Sequence, residues 1–412
     1  MNFTDFKFHP LVEAGITAAG YVTPTPIQNE ALPPVLAGSD VMGLAQTGTG
    51  KTAVFVLPIL QSLVRGRRGK LRALIISPTR ELAEQTNEVI KSLGKRTGIK
   101  SVTIYGGVNP ERQIRALRGG AEIAVACPGR LLDLMDQKVL SLSNIEILVL
   151  DEADQMFDMG FLPGIRKIVK ATPVERQTLL FSATMPPEIR SLASDFLKNP
   201  VTIQVGETRP PETVSHAIYN VQQNHKTGML LTLLDQTGNG QVLVFTRTKH
   251  RARKLAEQLA KNGISSTSLQ GNLSQNQRDA AMLRFRSGRA RVLVATDIAA
   301  RGIDISMISH VVNFDMPDTA EAYTHRIGRT GRMENSGMAL TFVTPEDTQM
   351  VRTIERMMGC KLERREMEGF DPKEYEAQAA ARSATQNPVQ QQTHHNNQRS
   401  NYPRRRFAPT AG

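Results

Sequence analysis

Short, continuously apolar runs alternate with longer stretches of helical period along the first half of the chain. The runs cover 71–77, 102–105, 123–127, 145–150, 178–182 and 201–205. A strand that is apolar throughout is covered by helices on both faces, so the pattern predicts a doubly wound α/β domain with a parallel sheet. Beyond it, 206–212 contains Pro210 and Pro211, which continue neither a helix nor a central strand, and this stretch reads as a linker. A second alternation follows, with strands expected over 241–246, 290–296, 308–314 and 338–343. Ser274 with Gln277 forms a capping-box pattern, and Thr344-Pro345 opens the last long helix with Glu346 and Asp347 in its first turn. The expected organisation is a first α/β lobe over 1–206, a flexible linker over 207–216, a second lobe over 217–370 and a tail over 371–412.

Composition changes this picture at the end of the chain. From about Ala377 to Gly412 there are five arginines, six glutamines and no Asp or Glu, too little apolar surface to fold alone. A disordered Gln/Asn/Arg-rich basic tail is expected, densest in charge at Arg404, Arg405 and Arg406; His394 and His395 read as bystanders. The whole chain has 51 Lys+Arg against 39 Asp+Glu, a net charge of +12, which points to a polyanionic partner. Its two cysteines, Cys127 and Cys360, have no disulfide or zinc spacing, which suits a reducing compartment. With no signal pattern and no apolar run near 18 residues, a cytoplasmic protein without a membrane partner is expected.

The run 145–150 delivers Asp151-Glu152-Ala153-Asp154 at the carboxyl end of a strand, where parallel α/β sheets bind ligands. Adjacent carboxylates there require a metal or a proton. Upstream, Ala45-Gln46-Thr47-Gly48-Thr49-Gly50-Lys51-Thr52 follows the phosphate-loop pattern in all but its first position. Gly48 and Gly50 remove side chains so that backbone N–H groups turn onto phosphate oxygens, and the helix opening near Lys51 adds its positive end. Lys51 then reaches the β- and γ-phosphates, Thr52 and Asp151 hold Mg²⁺ directly or through its water shell, and Glu152 is free to act as base. The two segments together read as an ATPase site.

Three further segments fit that site. In Gly20-Tyr21-Val22-Thr23-Pro24-Thr25-Pro26-Ile27-Gln28, the Gln28 amide has one donor and one acceptor in a plane, which matches adenine and mismatches guanine. Ser182-Ala183-Thr184 closes an apolar strand with hydroxyls that can link the phosphate site to the rest of its lobe. His325-Arg326-Ile327-Gly328-Arg329-Thr330-Gly331-Arg332 spaces arginines three apart, along one side of a helical turn. A second lobe that senses nucleotide on the first needs planar charged forks, so Arg329 and Arg332 are the expected arginine fingers.

Taken in order, these signatures resemble the DEAD-box RNA helicases, a family of superfamily 2, from Phe3 to about Phe370. The resemblance also rests on Pro78-Thr79-Arg80-Glu81-Leu82, Gly106-Gly107, Pro128-Gly129-Arg130, Val244-Phe245-Thr246, Gln277-Arg278 and the stretch from Ala295 to Ile305. The compact core with a short basic tail looks most like the bacterial RhlE-type branch. The resemblance implies two RecA-like domains, ATP in the cleft between them and RNA across both. It implies Tyr21 near the adenine, Gly302 and Asp304 toward the ribose, Arg329 and Arg332 at the γ-phosphate on closure, and coupling through Ser182, Thr184 and His325. It implies RNA contacts at Pro78, Thr79, Arg80, Gly107, Gly129, Arg130, Thr246, Arg278 and Thr296. Bottom-up, Thr79 begins a helix with apolar Leu82, Val89, Ile90 and Leu93 and is expected to leave amides free for a phosphate.

Ala45 replaces the first glycine of the general loop pattern, and Cys127 stands where the family commonly has threonine, which removes a hydroxyl donor beside Pro128. Aromatic content of 5% without tryptophan argues against base-stacking platforms, so the expected grip is on phosphates and 2′-hydroxyls without sequence choice. The expected activity is RNA-stimulated ATP hydrolysis that unwinds short duplexes or remodels RNA–protein complexes. One alternative, an ATP-gated RNA clamp or annealing protein, would use the same motifs; a second, a DNA-directed motor, is disfavoured by the acidic tetrad and the glutamine motif together.

Overall fold

The computed structural model describes residues 2–45, 48–205, 214–300, 308–330 and 337–376. Gln46, Thr47, Gly302, Asp304, Arg332 and the basic stretch from 377 onward lie outside these residues.

Among the described residues the strands are β1 (Val41–Leu44), β2 (Ala73–Ile76), β3 (Ser101–Ile104), β4 (Ile123–Ala126), β5 (Ile147–Leu150), β6 (Gln177–Ser182), β7 (Val201–Gln204), β8 (Val214–Asn220), β9 (Gln241–Phe245), β10 (Ser266–Leu269), β11 (Val292–Ala295), β12 (Ile308–Asn313), β13 (Gly337–Val343) and β14 (Glu363–Arg365). They form two seven-stranded sheets, ordered β3-β4-β2-β5-β6-β1-β7 and β10-β11-β9-β12-β13-β8-β14. Every pairing is parallel. Central strands such as β4 (Ile-Ala-Val-Ala) and β5 (Ile-Leu-Val-Leu) are buried at every position, as sheets covered on both faces require. These are the two doubly wound domains expected from the sequence.

Four strands escape the apolar-run criterion. β1 is interrupted by Gly43, whose Cβ would lie 2.6 Å from the Phe181 ring of β6; only glycine admits that ring. β8 mixes Ser215, His216 and Asn220 into its apolar positions and takes 214–216, given to the linker on sequence, because it pairs in register with β13 from Val214↔Gly337. β10 and β14 are sheet edges, half open to solvent, and their polar residues carry no such signal. The edges also depart from the continuous pattern: β3 alternates in burial, and of β7 only Ile203 is buried.

Sheet order sets the chemistry apart. Parallel strands present their carboxyl ends on one side, and the adjacent β5, β6 and β1 lead into Asp151-Glu152, Ala183-Thr184 and the phosphate loop. At the other end of the same sheet β3, β4 and β2 lead into Gly106-Gly107, Pro128-Gly129-Arg130 and Pro78-Thr79-Arg80. In the second sheet the adjacent β9 and β11 end immediately before Thr246 and Thr296.

Ser274 and Gln277 form the expected capping box. The helix expected at Thr344-Pro345 instead starts with a 3₁₀ turn, Pro345–Asp347, before helix Thr348–Met358, because Asp347 Oδ2 turns back onto the Thr344 amide at 2.9 Å. A separate small unit begins at Gly369. Residues 372–376 are helical there, inside the span expected as tail, with Phe370 and Tyr375 ring centroids 6.1 Å apart.

Candidate functional site

The phosphate loop connects β1 to helix Lys51–Leu63, and Gly50 caps that helix with φ +92°. A side chain at Gly50 would be strained twice, by that backbone and by Gln28 Nε2, 2.6 Å from where a Cβ would stand. Lys51 Nζ donates to Ala45 O at 2.7 Å, pinning the start of the loop to its end, and lies 3.4 Å from Glu152 Oε1. Burial pulls this ammonium's pKa down, but the carboxylates of Glu152, Asp151 and Asp154 outweigh it and leave the pKa raised. Lys51 is a charged anchor with its counter-charge already in place.

Glu152 adopts φ 55°, a left-handed conformation rare for a residue with a side chain, at the start of helix Ala153–Asp158. The bend turns its carboxylate back over the loop, where Oε2 accepts from Gln155 Nε2 at 2.5 Å. Asp151 has its pKa pushed up to about 7, first by burial and then by the neighbouring Glu152 charge. Its Oδ1 is buried with no hydrogen-bond partner. An orphaned carboxylate oxygen at the end of β5, with only β6 between it and the strand that leads into the phosphate loop, fits a hydrated Mg²⁺, which needs few protein ligands. Thr52, the other expected ligand, is half-buried on the first turn of the loop helix.

Both atoms of the Gln28 amide are engaged inside the protein. Its Oε1 accepts from Thr25 N at 2.9 Å and its Nε2 donates to Gly50 O at 3.1 Å, while Thr25 Oγ1 donates to Thr49 O at 2.9 Å. The segment therefore grips the phosphate loop, and the amide keeps one further N–H and one further lone pair beyond these contacts. Tyr21 is half-buried against Phe3, centroids 5.6 Å apart.

Ser182 and Thr184 meet the last acid of the tetrad. Asp154 Oδ2 accepts from Thr184 N at 2.8 Å, Thr184 Oγ1 at 3.0 Å and Ala183 N at 3.1 Å, and Asp154 N donates to Ser182 Oγ at 3.2 Å. Across the cleft His325 Nε2 stands 3.8 Å from the same Asp154 oxygen, beyond hydrogen-bonding reach, and both ring nitrogens are buried without a hydrogen-bond partner. Asp154 was not singled out on sequence, because nothing local distinguishes it from an ordinary helix N-terminal acid.

The arginine series is not aligned on one helical side. Helix Ala320–Ile327 ends before Arg329, and only Arg326 lies within it. Arg326 is buried: its guanidinium grips Asp297 at 2.6 and 2.7 Å, Asn313 Oδ1 at 3.1 Å and Asp315 O at 2.7 Å, over the Phe245 ring. It is internal scaffold. Arg329, released by the helix end, lines an interlobe cavity of only about 20 Å³ with His325 and, from the first lobe, Gln155. Arg329 Nε donates to His325 O at 3.3 Å, which keeps its side chain beside that cavity.

The expected RNA contacts divide. Gly107 and Gly129 are exposed, Thr296 and Arg130 half-buried, and Arg130 Nη1 donates to Val108 O at 3.2 Å. Thr79 caps helix Arg80–Leu93 and its own hydroxyl accepts from Leu82 N at 3.3 Å, so one amide expected to be free is satisfied. Pro78 is buried, and Thr246 is fully buried with its hydroxyl toward Thr248 O at 3.5 Å, so its side chain is not presented to a ligand. Arg278 Nη2 instead donates to Glu81 Oε1 at 3.0 Å and Arg80 Nη2 to Asp279 Oδ2 at 3.4 Å. These reciprocal pairs bridge the lobes, and neither acid was a sequence candidate. Cys127, at the start of helix Pro128–Asp136, has its thiol pushed up to about 12 by burial and then by the Glu81 charge.

Among the described residues no helix is long and apolar enough to cross a membrane. The family model "DEAD/DEAH box helicase" matches residues 25–192 and "Helicase conserved C-terminal domain" matches 225–334. The chain is similar to the ATP-dependent RNA helicase CshA of Limosilactobacillus reuteri, 42% identical over 88% of this chain and 73% of that protein. It is similar to the RNA helicase CrhR of Synechocystis sp., 44% identical over 84% of this chain and 70% of that one. Among solved structures it resembles S. cerevisiae Dbp5 bound to RNA and ADP BeF3, with TM-score 0.80 and 31% identity over 92% of this chain and 98% of that one. A DEAD box protein from Methanococcus jannaschii matches with TM-score 0.50 and 35% identity over 89% and 99%. Two domain matches, and relatives this similar over most of both lengths, make the chain a member of the DEAD-box ATP-dependent RNA helicases.

Proposed function

We propose that this protein hydrolyses ATP, with Mg²⁺, in the cleft between its lobes, and uses lobe closure to grip RNA and separate short duplexes. The observation that carries the reading is the Lys51–Glu152–Asp151 cluster against the phosphate loop, with an unpartnered Asp151 oxygen. Lys51 binds the β- and γ-phosphates, and on doing so exchanges the Ala45 carbonyl for phosphate oxygens. Glu152, its carboxylate oriented by Gln155 and by the αL bend, accepts the proton of the attacking water. Thr52 and Asp151 would hold the metal, whose charge offsets that of the phosphates. Arg329 supplies positive charge from the second lobe, and Asp154 reports the state of the site to Thr184 and His325.

The interlobe pairs Arg278–Glu81 and Arg80–Asp279 support a closed arrangement. So does the higher TM-score with the RNA- and ADP BeF3-bound structure although its sequence is the less identical of the two compared. RNA then lies along the carboxyl ends of β3, β4 and β2, away from the nucleotide at β5, β6 and β1. A cytoplasmic location accords with the reading. The test is ATP turnover with no nucleic acid, with single-stranded RNA and with matched DNA, beside displacement of a labelled RNA strand. RNA-specific stimulation with displacement supports helicase action; stimulation without displacement replaces it with an RNA clamp, and equal stimulation by DNA removes the choice of RNA.

A further inference from the structure

The first lobe carries a cavity of about 650 Å³ at the β3 edge of its sheet, remote in strand order from the phosphate loop. Thr103 and Tyr105 line it from β3 and the strand end, and Asn109, Arg112 and Arg115 line it from helix Glu111–Arg118 and its approach. Arg80 also lines it, with its guanidinium 4.6 Å from the Tyr105 ring centroid and Nη1 buried without a hydrogen-bond partner. Arg112 and Arg115 are exposed and make no ion pair among the described residues, whereas Arg68, Arg72 and Arg166 each hold a carboxylate. Among the described residues Glu111 is the one acid lining the cavity, and Arg80 is partly offset from outside it by Asp279, which leaves Arg112 and Arg115 without a paired carboxylate. Unneutralised arginines on a concave surface concentrate positive potential and attract anions.

The place of the cavity says which anion. Three expected RNA contacts border it: Arg80 lines it, Gly107 precedes Val108 of its wall, and Arg130 bonds to Val108 O. The Tyr105 ring is covered by Arg80 and its hydroxyl is spent on Glu84, so the wall offers no free aromatic anchor of the kind that holds a docked peptide. Resting on the reading of this chain as an RNA-dependent ATPase, we infer that the cavity is an accessory subsite for the sugar–phosphate backbone of single-stranded RNA running past Gly107, with Arg112 and Arg115 each on a phosphate. Such a subsite lengthens the footprint without adding base readout.

The test is fluorescence anisotropy of oligouridylates from about 4 to about 16 nucleotides. The full chain and its Arg112→Gln/Arg115→Gln variant are compared with a non-hydrolysable ATP analogue present, and both are checked for equal thermal stability. Wild-type affinity is expected to rise to a plateau at a longer oligonucleotide than in the variant. On the longest RNA the log–log salt slope should fall by up to about 1.4 in the variant, at ~0.7 per lost phosphate contact, with affinity for the shortest RNA unchanged. Identical length series and slopes would overturn the subsite and leave the helicase reading standing, whereas failure of the wild type to bind any RNA would remove both. Loss of polyglutamate binding in the variant with an unchanged RNA series would assign the cavity to an acidic protein segment and overturn the RNA assignment.

Discussion

Lys51 Nζ lies 3.4 Å from Glu152 Oε1, so the ammonium proposed to bind phosphate and the carboxylate proposed as base form one buried ion pair. Entry of a phosphate must divide that ammonium between two anions, which makes the two residues separable in experiment. Lys51→Ala should weaken ATP binding about ten- to a hundredfold through loss of charged hydrogen bonds. Glu152→Gln keeps the fold of the site and should hold ATP within a few-fold of wild type while turnover falls about 10²- to 10⁴-fold. Nucleotide binding measured beside turnover decides it; comparable loss of affinity in both would make Glu152 a binding rather than a catalytic group.

Arg329 lines the interlobe cavity from outside the helix that buries Arg326. Arg329→Ala should lower RNA-stimulated turnover roughly 10³-fold or more and leave ATP affinity without RNA nearly intact. Lysine should not restore it, since an ammonium lacks the planar fork. Near-normal turnover in Arg329→Ala would take interlobe arginine catalysis out of the mechanism.

Arg278 and Glu81 hold the lobes together at 3.0 Å, each largely shielded from solvent. A double-mutant cycle of Arg278→Ala and Glu81→Ala on RNA affinity with bound ATP analogue should give a coupling of about 0.5–3 kcal/mol. The charge reversal Arg278→Glu/Glu81→Arg should recover part of the loss of either single reversal. Additive single effects would mean that each side chain acts alone.

Gln28 bonds Gly50 O through the same amide expected to read adenine. Gln28→Ala should therefore weaken GTP as well as ATP, about five- to tenfold for the lost loop contact, with a further loss for ATP that narrows the preference between them. Titrations with both nucleotides check this. Unchanged GTP affinity would show that the Gly50 contact contributes nothing to the loop.

His216 and His310 have lowered pKa values, His216 through burial and His310 through burial and then Arg291. Folding favours the neutral ring, so their contribution to stability is present above the ordinary value of 6.5 and is lost as pH falls below it. The urea midpoint should drop between about pH 6.5 and 5, and the drop should shrink in His216→Gln/His310→Gln. Equal acid slopes in both proteins would assign acid sensitivity to other groups.

The sequence by itself determined the two parallel α/β lobes, the phosphate loop and the acidic tetrad. Those signals are local: an apolar strand run declares its own burial, and a glycine-spaced loop its own geometry. Tertiary structure decided which charged groups remain available. Arg80 and Arg278 were expected on RNA and Arg326 in a row with Arg329, yet Arg278 is paired with an acid 197 residues away, Arg80 with one 199 away, and Arg326 is enclosed by Asp297, Asn313 and Asp315. Gln28 likewise has the right amide for adenine, and only the approach of Gly50, 22 residues on, gives it a second task of bracing the phosphate loop. Strands β1, β8, β10 and β14 were hidden for the same reason, because a glycine under a neighbour's ring or a polar edge residue becomes strand through the partner it pairs with, which no local pattern contains.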